Sequence, residues 1–273
     1  MPPPPPDSTP FLIRSAEAAR RLGRHVPGVR QVVDGLGAAI RNRTLIIPFG
    51  VGRGLRFCAR GATAAHALGL AEVPIQRVLA HHLRPGDTFY DLGANVGFFT
   101  LMAARLVGPT GRVHAFEPSP TTAALLRANV ARNGLTHVEV HECAVAATSG
   151  TAELMVAADS PMSRLAATPG PLTEAVEQIE VRTVALDDLI EAESLRPPTL
   201  LKIDVEGAEI VALQGMHDTI TRHRPTILCE LHGTGAAFIE AMRPYGYALS
   251  AVEPHRPIEG TDRPHHVLAR PSR

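Results

Sequence analysis

Thr88-Phe-Tyr-Asp-Leu-Gly-Ala-Asn-Val-Gly97 runs into an apolar segment ending at Val107, and Arg112 to Phe116 and Glu117 follow. These residues decide the fold. Thr88 to Leu92 reads as a strand, the glycines beyond it as a turn, 97–107 as a helix and 112–117 as a second strand closed by an acid. Strand, glycine turn, helix, strand and acid together make a nucleotide pocket. Gly93 and Gly97 let backbone approach a ligand at a helix N-terminus. Glu117 stands where a carboxylate can accept from both ribose hydroxyls.

Working outward, the alternation continues. Arg84-Pro85-Gly86-Asp87 is a turn that launches strand 88–92. Helix 120–132 has Ser119 or Thr121 as N-cap and stops at Asn133-Gly134. Strands are expected at 137–142, 151–156, 179–184, 200–205 and 226–231, with helices at 186–193, 207–216 and 235–243. A Ser/Pro/Gly-containing excursion occupies 157–178, and strands 246–252 and 265–270 close the chain. Short β and α units in alternation predict an α/β fold: a doubly wound, mostly parallel sheet with a terminal antiparallel hairpin.

Upstream, residues 1–10 read as a disordered Pro-rich lead and residues 11–83 as an N-terminal extension, placed as a substrate cap. Within it, 11–41 is expected to be helical with a break near Pro27 and Gly28. Residues 44–60 are expected to form a hairpin around Gly50, Gly52 and Gly54, and Val73 to Leu83 an amphipathic helix. Residues 84–273 are expected to form the domain that carries the nucleotide pocket.

With 27 basic and 27 acidic residues the formal net charge is zero, so nothing overall draws the chain to nucleic acid or an anionic membrane. No apolar run reaches the roughly 18 residues a membrane span needs. Met1 and Pro2 to Pro6 lack the basic and apolar regions of a signal peptide. Cys58, Cys143 and Cys229 are scattered, which disfavours a disulfide framework or zinc site and makes a reducing cytoplasm the expected compartment. Lys202 is the only lysine among the 27 basic residues. The arginine excess fits a GC-rich coding bias that Lys202 escaped.

The turn itself argues against a dinucleotide. A G-x-G-x-x-G fingerprint needs a second glycine where Asn95 stands, and Asn95 would intrude on a pyrophosphate. S-adenosylmethionine carries no phosphate. It needs a turn that admits the methionine carboxylate and ammonium, with acids for the ammonium and the ribose. Asp91 suits the ammonium, the first amides of helix 97–107 the carboxylate, and Glu117 the diol. Such a carboxylate contributes roughly 1.5–3 kcal/mol per hydroxyl bond.

Leu200-Leu-Lys-Ile-Asp-Val-Glu-Gly-Ala-Glu209 is a buried strand that delivers charge at its carboxyl end. Ligands in open α/β sheets sit outside those ends, so Asp204 should face the same crevice as Asp91 and Glu117. Glu206 and Glu209 stand either as acids favoured at a helix start or as site groups. Lys202 either faces the crevice or snorkels from the sheet. Glu230 and His232 alternate by two and share a side of their strand. The His81-His82 and His265-His266 pairs lack metal-ligand spacing and carboxylate companions in sequence, and read as surface or packing residues.

At these residues the chain resembles the FkbM-type S-adenosylmethionine-dependent methyltransferases. The resemblance is carried by the D-x-G-A-N-x-G turn at Asp91 to Gly97, by Phe116-Glu117-Pro118, and by the K-I-D-V-E-G-A-E block at Lys202 to Glu209. Glu230-Leu231-His232 and the lead-in Arg84 to Asp87 also fit, so the match spans roughly residues 69–270. It implies a class I methyltransferase Rossmann-like fold and methylation of a hydroxyl oxygen on a small polyketide or sugar of secondary, including antibiotic, metabolism. It implies that Asp91, Gly93, Asn95, Gly97 and Glu117 bind the cofactor, that Asp204 lies near the transferred methyl, and that Glu142, Cys143 and Ala144 border the adenine. The N-terminal sixty residues and 157–178 depart from the pattern and are where substrate choice should lie.

The reaction expected is in-line methyl transfer, with the barrier lowered chiefly by alignment. His232 is the first candidate base because an ordinary imidazole titrates near neutrality. Asp204 is the second, Glu230 could orient His232, and Lys202 could pair with an acid. A divalent metal on Asp204, Glu206, Glu230 and His232 is the less favoured alternative to a base. The rivals are an N-methyltransferase, an NAD-dependent oxidoreductase and a non-catalytic module that keeps the fold. The sequence leaves the acceptor and the oligomeric state open.

Overall fold

The computed structural model describes residues 43–60, 62–157, 163–165, 176–253, 256–259 and 264–272. The Pro-rich lead, the helix expected at 11–41 and most of the 157–178 excursion lie outside the described residues. The chain enters through a small antiparallel hairpin, β1 (Thr44–Ile46) and β2 (Arg56–Cys58), with Leu45 opposite Phe57. Two helices follow, α1 (Ala64–Ala67) and α2 (Val73–His82). Pro74 sits in the first turn of α2, where its missing N–H costs nothing.

The central unit is β3 (Thr88–Leu92), α3 (Phe98–Val107), β4 (Arg112–Phe116), α4 (Pro120–Arg132) and β5 (Val138–His141). All five residues of β3 are buried. Phe89 packs into one core, while Tyr90 and Leu92 pack into the core on the other side of the sheet. A strand covered on both faces must be apolar at nearly every position. Ser119 caps α4 through its hydroxyl, which accepts from the Thr122 amide at 3.4 Å.

Next come β6 (Ala144–Val145), β7 (Gly150–Ala157), β8 (Ser163–Leu165) and β9 (Val176–Val184). These four form a separate sheet ordered β6-β9-β7-β8. The strand alternation in the sequence located β7 and β9 but not their departure from the main sheet. One-sided burial explains it. Leu154 and Val181 turn inward onto Ala144 and Ala208, while Thr151, Glu153 and Glu177 stay exposed. That pattern belongs to an antiparallel sheet with one wet face.

The chain closes with α5 (Leu186–Ala192), β10 (Leu200–Ile203), α6 (Glu209–Gln214), a π-helical turn (Thr219–His223), β11 (Thr226–Leu231), α7 (Gly235–Met242), a short 3₁₀ turn (Arg243–Tyr245), β12 (Tyr247–Ala251) and β13 (His265–Pro271). The main sheet has seven strands in the order β12-β13-β11-β10-β3-β4-β5. It is parallel except for β13, which runs antiparallel to both β11 and β12. This is the α/β class I methyltransferase-like architecture, with the expected antiparallel hairpin at its end.

The described part of the extension is joined to this body. Leu55, Phe57, Ile75 and Leu79 share a core with Phe89 and Leu101. Two side-chain amides, one on α4 and one at its C-cap, complete the edge of β2. Asn129 accepts from the Cys58 N–H at 2.9 Å and donates to its carbonyl at 3.1 Å, and Asn133 does the same for Arg56 at 2.8 and 2.7 Å. Backbone groups on an edge strand are thereby satisfied without another strand. No helix among the described residues is long and apolar enough to cross a membrane.

Candidate active site

The site lies at the carboxyl ends of β3, β4, β10 and β11, and it has two halves. One is built mostly from backbone. Gly93 takes φ 77° and its N–H, like that of Ala94, donates to the Phe116 carbonyl at 3.0 Å. A methyl group on Gly93 would collide with the Asp204 carbonyl oxygen. Glycine is therefore required here by the crossing of two loops. Asn95 holds the left-handed φ of 50° and its N–H donates to Glu117 Oε2 at 2.9 Å, while Glu117 Oε1 accepts from Ser119 N–H at 3.0 Å. Burial raises the Glu117 carboxyl to a pKa of about 7 against the pull of those two N–H bonds.

An open cleft of about 680 Å³, adjoining solvent included, runs between Gly93, Asn95 and Glu117 on one side and Asp204, Val205 and Glu206 on the other. Phe116, Val145 and Leu154 supply apolar wall, and Cys143 and Ala144 line it as well. Three of the candidate cofactor residues lie outside that wall. Gly97, φ 90°, caps α3, and a methyl group there would collide with Leu126 of α4, so it serves close packing. Glu142 turns outward to Arg127 at 2.7 Å. Asp91 is buried below the turn, with Oδ2 accepting from the Thr100 hydroxyl at 2.6 Å. Asp91 Oδ1 has no hydrogen-bond partner, and burial raises the carboxyl's pKa despite Lys202 and Thr100.

The other half is built from ionisable side chains. Lys202, 2% exposed, reaches Asp204 Oδ2 at 2.9 Å and stands 3.9 Å from Asp91 Oδ1, with its ammonium 5.1 Å from the Phe99 ring centre. Of the two orientations open to it, the lysine points inward at the crevice acids. Burial opposes its charge, but Asp204, Asp91 and Glu72 outweigh that and raise its pKa. His232 Nδ1 lies 2.8 Å from Glu209 Oε1, and its Nε2 lies 3.4 Å from Glu206 and 3.9 Å from Glu230. Burial lowers the His232 pKa, yet the Glu209 hydrogen bond and the charges of Glu206, Glu209 and Asp204 carry it up to about 9. The ring is thus a cation at neutral pH, not the ordinary imidazole the sequence suggested. Glu209 is fully buried, donor-saturated by His232, by the Thr234 hydroxyl at 2.8 Å and by the Gly207 N–H at 2.8 Å. Glu206 is a second non-glycine residue with left-handed backbone, φ 46°, and burial raises its pKa. Such conformations cost about 1–3 kcal/mol and collect at functional sites.

The structure brings Asp204, Glu230 and His232 within 4.8 Å of one another through their possible ligand atoms. Only Asp204 of the four candidate catalytic residues lines the cleft. Lys202, Glu230 and His232 stand behind it, and Glu206 separates His232 from the opening.

Of the surface and packing readings of His265 and His266, the structure removes the first, and for His266 it adds carboxylate partners. Both are buried, and His266 meets three carboxylates, at 2.7 Å to Glu253 and 3.4 Å to both Glu230 and Glu72. Its partners are remote in sequence, so adjacency could not reveal them. A signal existed in the strand register, which sets His266 directly opposite Glu230. His81 and His82, in contrast, lie at the exposed end of α2 as expected.

Comparison with known proteins assigns the chain to a family. The model of the methyltransferase FkbM domain family matches residues 91–250. The 31-O-demethyl-FK506 methyltransferase FkbM of Streptomyces tacrolimicus is 31% identical over 246 residues, covering 77% of this chain and 94% of that protein. The hexuronic acid methyltransferase AglP of Haloferax volcanii is 27% identical over 152 residues, covering 55% of this chain and 58% of that protein. Among solved structures, a methyltransferase FkbM from Methylobacillus flagellatus KT matches 77% of this chain and 56% of that one, with 17% identity and a TM-score of 0.46.

Proposed function

This chain belongs to the FkbM family of S-adenosylmethionine-dependent methyltransferases, and from that premise we propose that it methylates a hydroxyl oxygen of a small polyketide or sugar. The observation that carries the proposal is the position of Asp204. It lines the cleft opposite Glu117 and is tied from behind to Lys202 at 2.9 Å. A carboxylate fixed between a cofactor cradle and a charged row is what alcohol methylation asks for. The Streptomyces relative is a 31-O-demethyl-FK506 methyltransferase, and the Haloferax relative is a hexuronic acid methyltransferase. Both support a small hydroxylated acceptor.

The residues present fit S-adenosylmethionine. Glu117 would take the ribose hydroxyls, and the turn at Gly93 and Asn95 with the first amides of α3 would take the methionine carboxylate. Asp91 Oδ1 is a buried acceptor without a hydrogen-bond partner, the kind of group an ammonium satisfies. Ala144 and Leu154 would border the adenine. The bound sulfonium supplies an electrophilic methyl group.

Asp204 orients the acceptor hydroxyl and receives its proton. Lys202 fixes the Asp204 rotamer and offsets charge in the buried wall. His232 acts through Glu206, which it holds by the cleft, and Glu230 helps to orient the His232 ring. These last three are positioning residues. Alignment of the acceptor is the largest contribution asked of the site, since holding reactants at near-attack distance removes an entropic share of the barrier.

The test is incubation with S-adenosylmethionine and a panel of monosaccharides, uronic acids and O-demethylated polyketides, with product read by mass and by NMR. A methyl ether on one panel class is the expected result. Methyl appearing only on nitrogen, or none across the panel with cofactor bound, would overturn the proposal.

A further inference from the structure

Beside the cleft, Glu72, Glu230 and His266 meet under the start of α2, with Glu230 shared with the charged row described above. They come from three distant parts of the chain. Glu72 is the N-cap of α2, held in a left-handed conformation of φ 44°. Glu230 and His266 are paired residues of β11 and β13. Their possible ligand atoms all lie within 4.8 Å of one another.

The geometry is not that of a hydrogen-bonded triad. His266 Nε2 lies 3.4 Å from Glu72 Oε2 and 3.4 Å from Glu230 Oε2. Yet Nε2 and Glu72 Oε2 are both buried atoms with no hydrogen-bond partner. The His266 side chain is only 7% exposed, so water does not readily make good the loss. Meanwhile the far side of the ring is fully committed. Nδ1 meets Glu253 Oε1 at 2.7 Å, and the other Glu253 oxygen accepts from the His266 backbone N–H at 2.9 Å. A carboxylate on Nδ1 fixes the ring and directs Nε2 at the two glutamates, the arrangement that orients metal-ligating histidines.

The spacing also suits an ion. Ligand atoms about 2.1 Å from a tetrahedral centre stand about 3.4 Å from each other. That is the separation of Nε2 from each carboxylate oxygen. We infer that Glu72, Glu230 and His266 bind one first-row divalent cation, of the Zn²⁺ or Mn²⁺ kind. An imidazole nitrogen in the donor set favours these over Mg²⁺ or Ca²⁺. Three protein ligands leave a coordination position open.

The adjoining Asp204–Glu230–His232 group is a weaker candidate. Asp204 is taken by Lys202 at 2.9 Å and His232 Nδ1 by Glu209 at 2.8 Å. The ion inferred here would instead tie the extension to the sheet through Glu72. It does not depend on which acceptor the enzyme methylates.

Tag-free protein, stripped by chelator and dialysed, is titrated with ZnCl₂ and separately with MnCl₂, with bound metal counted by elemental analysis. One equivalent of at least one metal should bind. Glu72→Gln and His266→Gln should each weaken binding at least about tenfold, and His217→Ala, at an exposed position, should leave it unchanged. If His266→Gln does not fold, Glu72→Gln at the helix start carries the comparison. Absence of saturable binding to the unaltered chain overturns the inference, as does equal affinity in the folded variants. The first outcome would leave the three groups as an imidazolium held by two carboxylates.

Discussion

The two halves of the site are made of different materials. At the ends of β3 and β4 the cradle is backbone: a glycine crossing, an asparagine in left-handed conformation, and one carboxylate that accepts two N–H bonds. At the ends of β10 and β11 it is ionisable side chains packed on one another, with Lys202 and His232 set among Asp204, Glu206, Glu209 and Glu230. The contrast fits the tasks proposed for the two halves. A bound cofactor needs shape and a few fixed partners, which backbone supplies without reorganising. Moving a proton from an alcohol needs groups whose charge is tuned by neighbours. The two halves touch at Gly93, against the Asp204 carbonyl.

The largest expected effect breaks the charged half. Lys202→Met leaves the buried Asp91 and the half-buried Asp204 without their cation, and should cost about 3–5 kcal/mol of stability. Denaturant unfolding measures it. Adding Asp91→Asn should recover part of the loss, because one of the orphaned charges is then gone. If the double variant is no more stable than the single one, Lys202 and Asp91 are not energetically coupled.

Asp204→Asn should lower kcat by about 10²–10⁴-fold, with the fold retained. A variant turning over within a few-fold of the unaltered enzyme would remove Asp204 from the reaction. At the seam, Gly93→Ala combines a left-handed φ with a collision, at about 1–3 kcal/mol for the backbone alone. It should lower stability and turnover together, read by thermal melting and kcat. A loss of cofactor affinity alone would place the Gly93 constraint on the ligand side.

A smaller effect sharpens the cradle. Glu117 has its pKa raised from 4.5 to about 7 by burial. The fold thus favours the neutral acid, a stabilisation fully present below pH 4.5 and lost as pH rises through about 7. Ribose hydroxyls donating to Glu117 favour the ionised form, so affinity for S-adenosylhomocysteine moves the opposite way. It should fall toward tenfold per pH unit below about pH 7, and Glu117→Gln should abolish that dependence. An unchanged pH profile in the variant would place the titrating group elsewhere.

The same division governs what could be read from sequence. The cradle was legible because its parts are close in the chain and each residue has a local reason: Asn95 where a dinucleotide site needs glycine, Glu117 at a strand end. Gly97 was read as a ligand-side glycine, but its space is filled by Leu126 from the next helix, a contact between helices that spacing does not disclose. Strand alternation placed Asp204, Glu230 and His232 together. It could not say that His232 would sit among carboxylates that keep it charged, because Glu209 reaches it only after the β10–α6 turn is folded. Glu72 and Glu253 come to His266 from separate loops, and no local pattern announces them. The four-stranded sheet escaped for a related reason: alternation gives a strand's wet face but not which sheet it joins.

The central claim is that the halves are separable, one binding and one reacting. Calorimetric titration of Glu117→Gln and Asp204→Asn with S-adenosylhomocysteine at pH 8, beside the unaltered enzyme, tests it most directly. Glu117→Gln should bind about 10- to 100-fold more weakly, the loss of one or two charged hydrogen bonds, while Asp204→Asn should bind within about threefold of the unaltered enzyme, since Asp204 is tied to Lys202 and is proposed to act on the acceptor. Loss of binding in Asp204→Asn with Glu117→Gln unaffected would contradict the account.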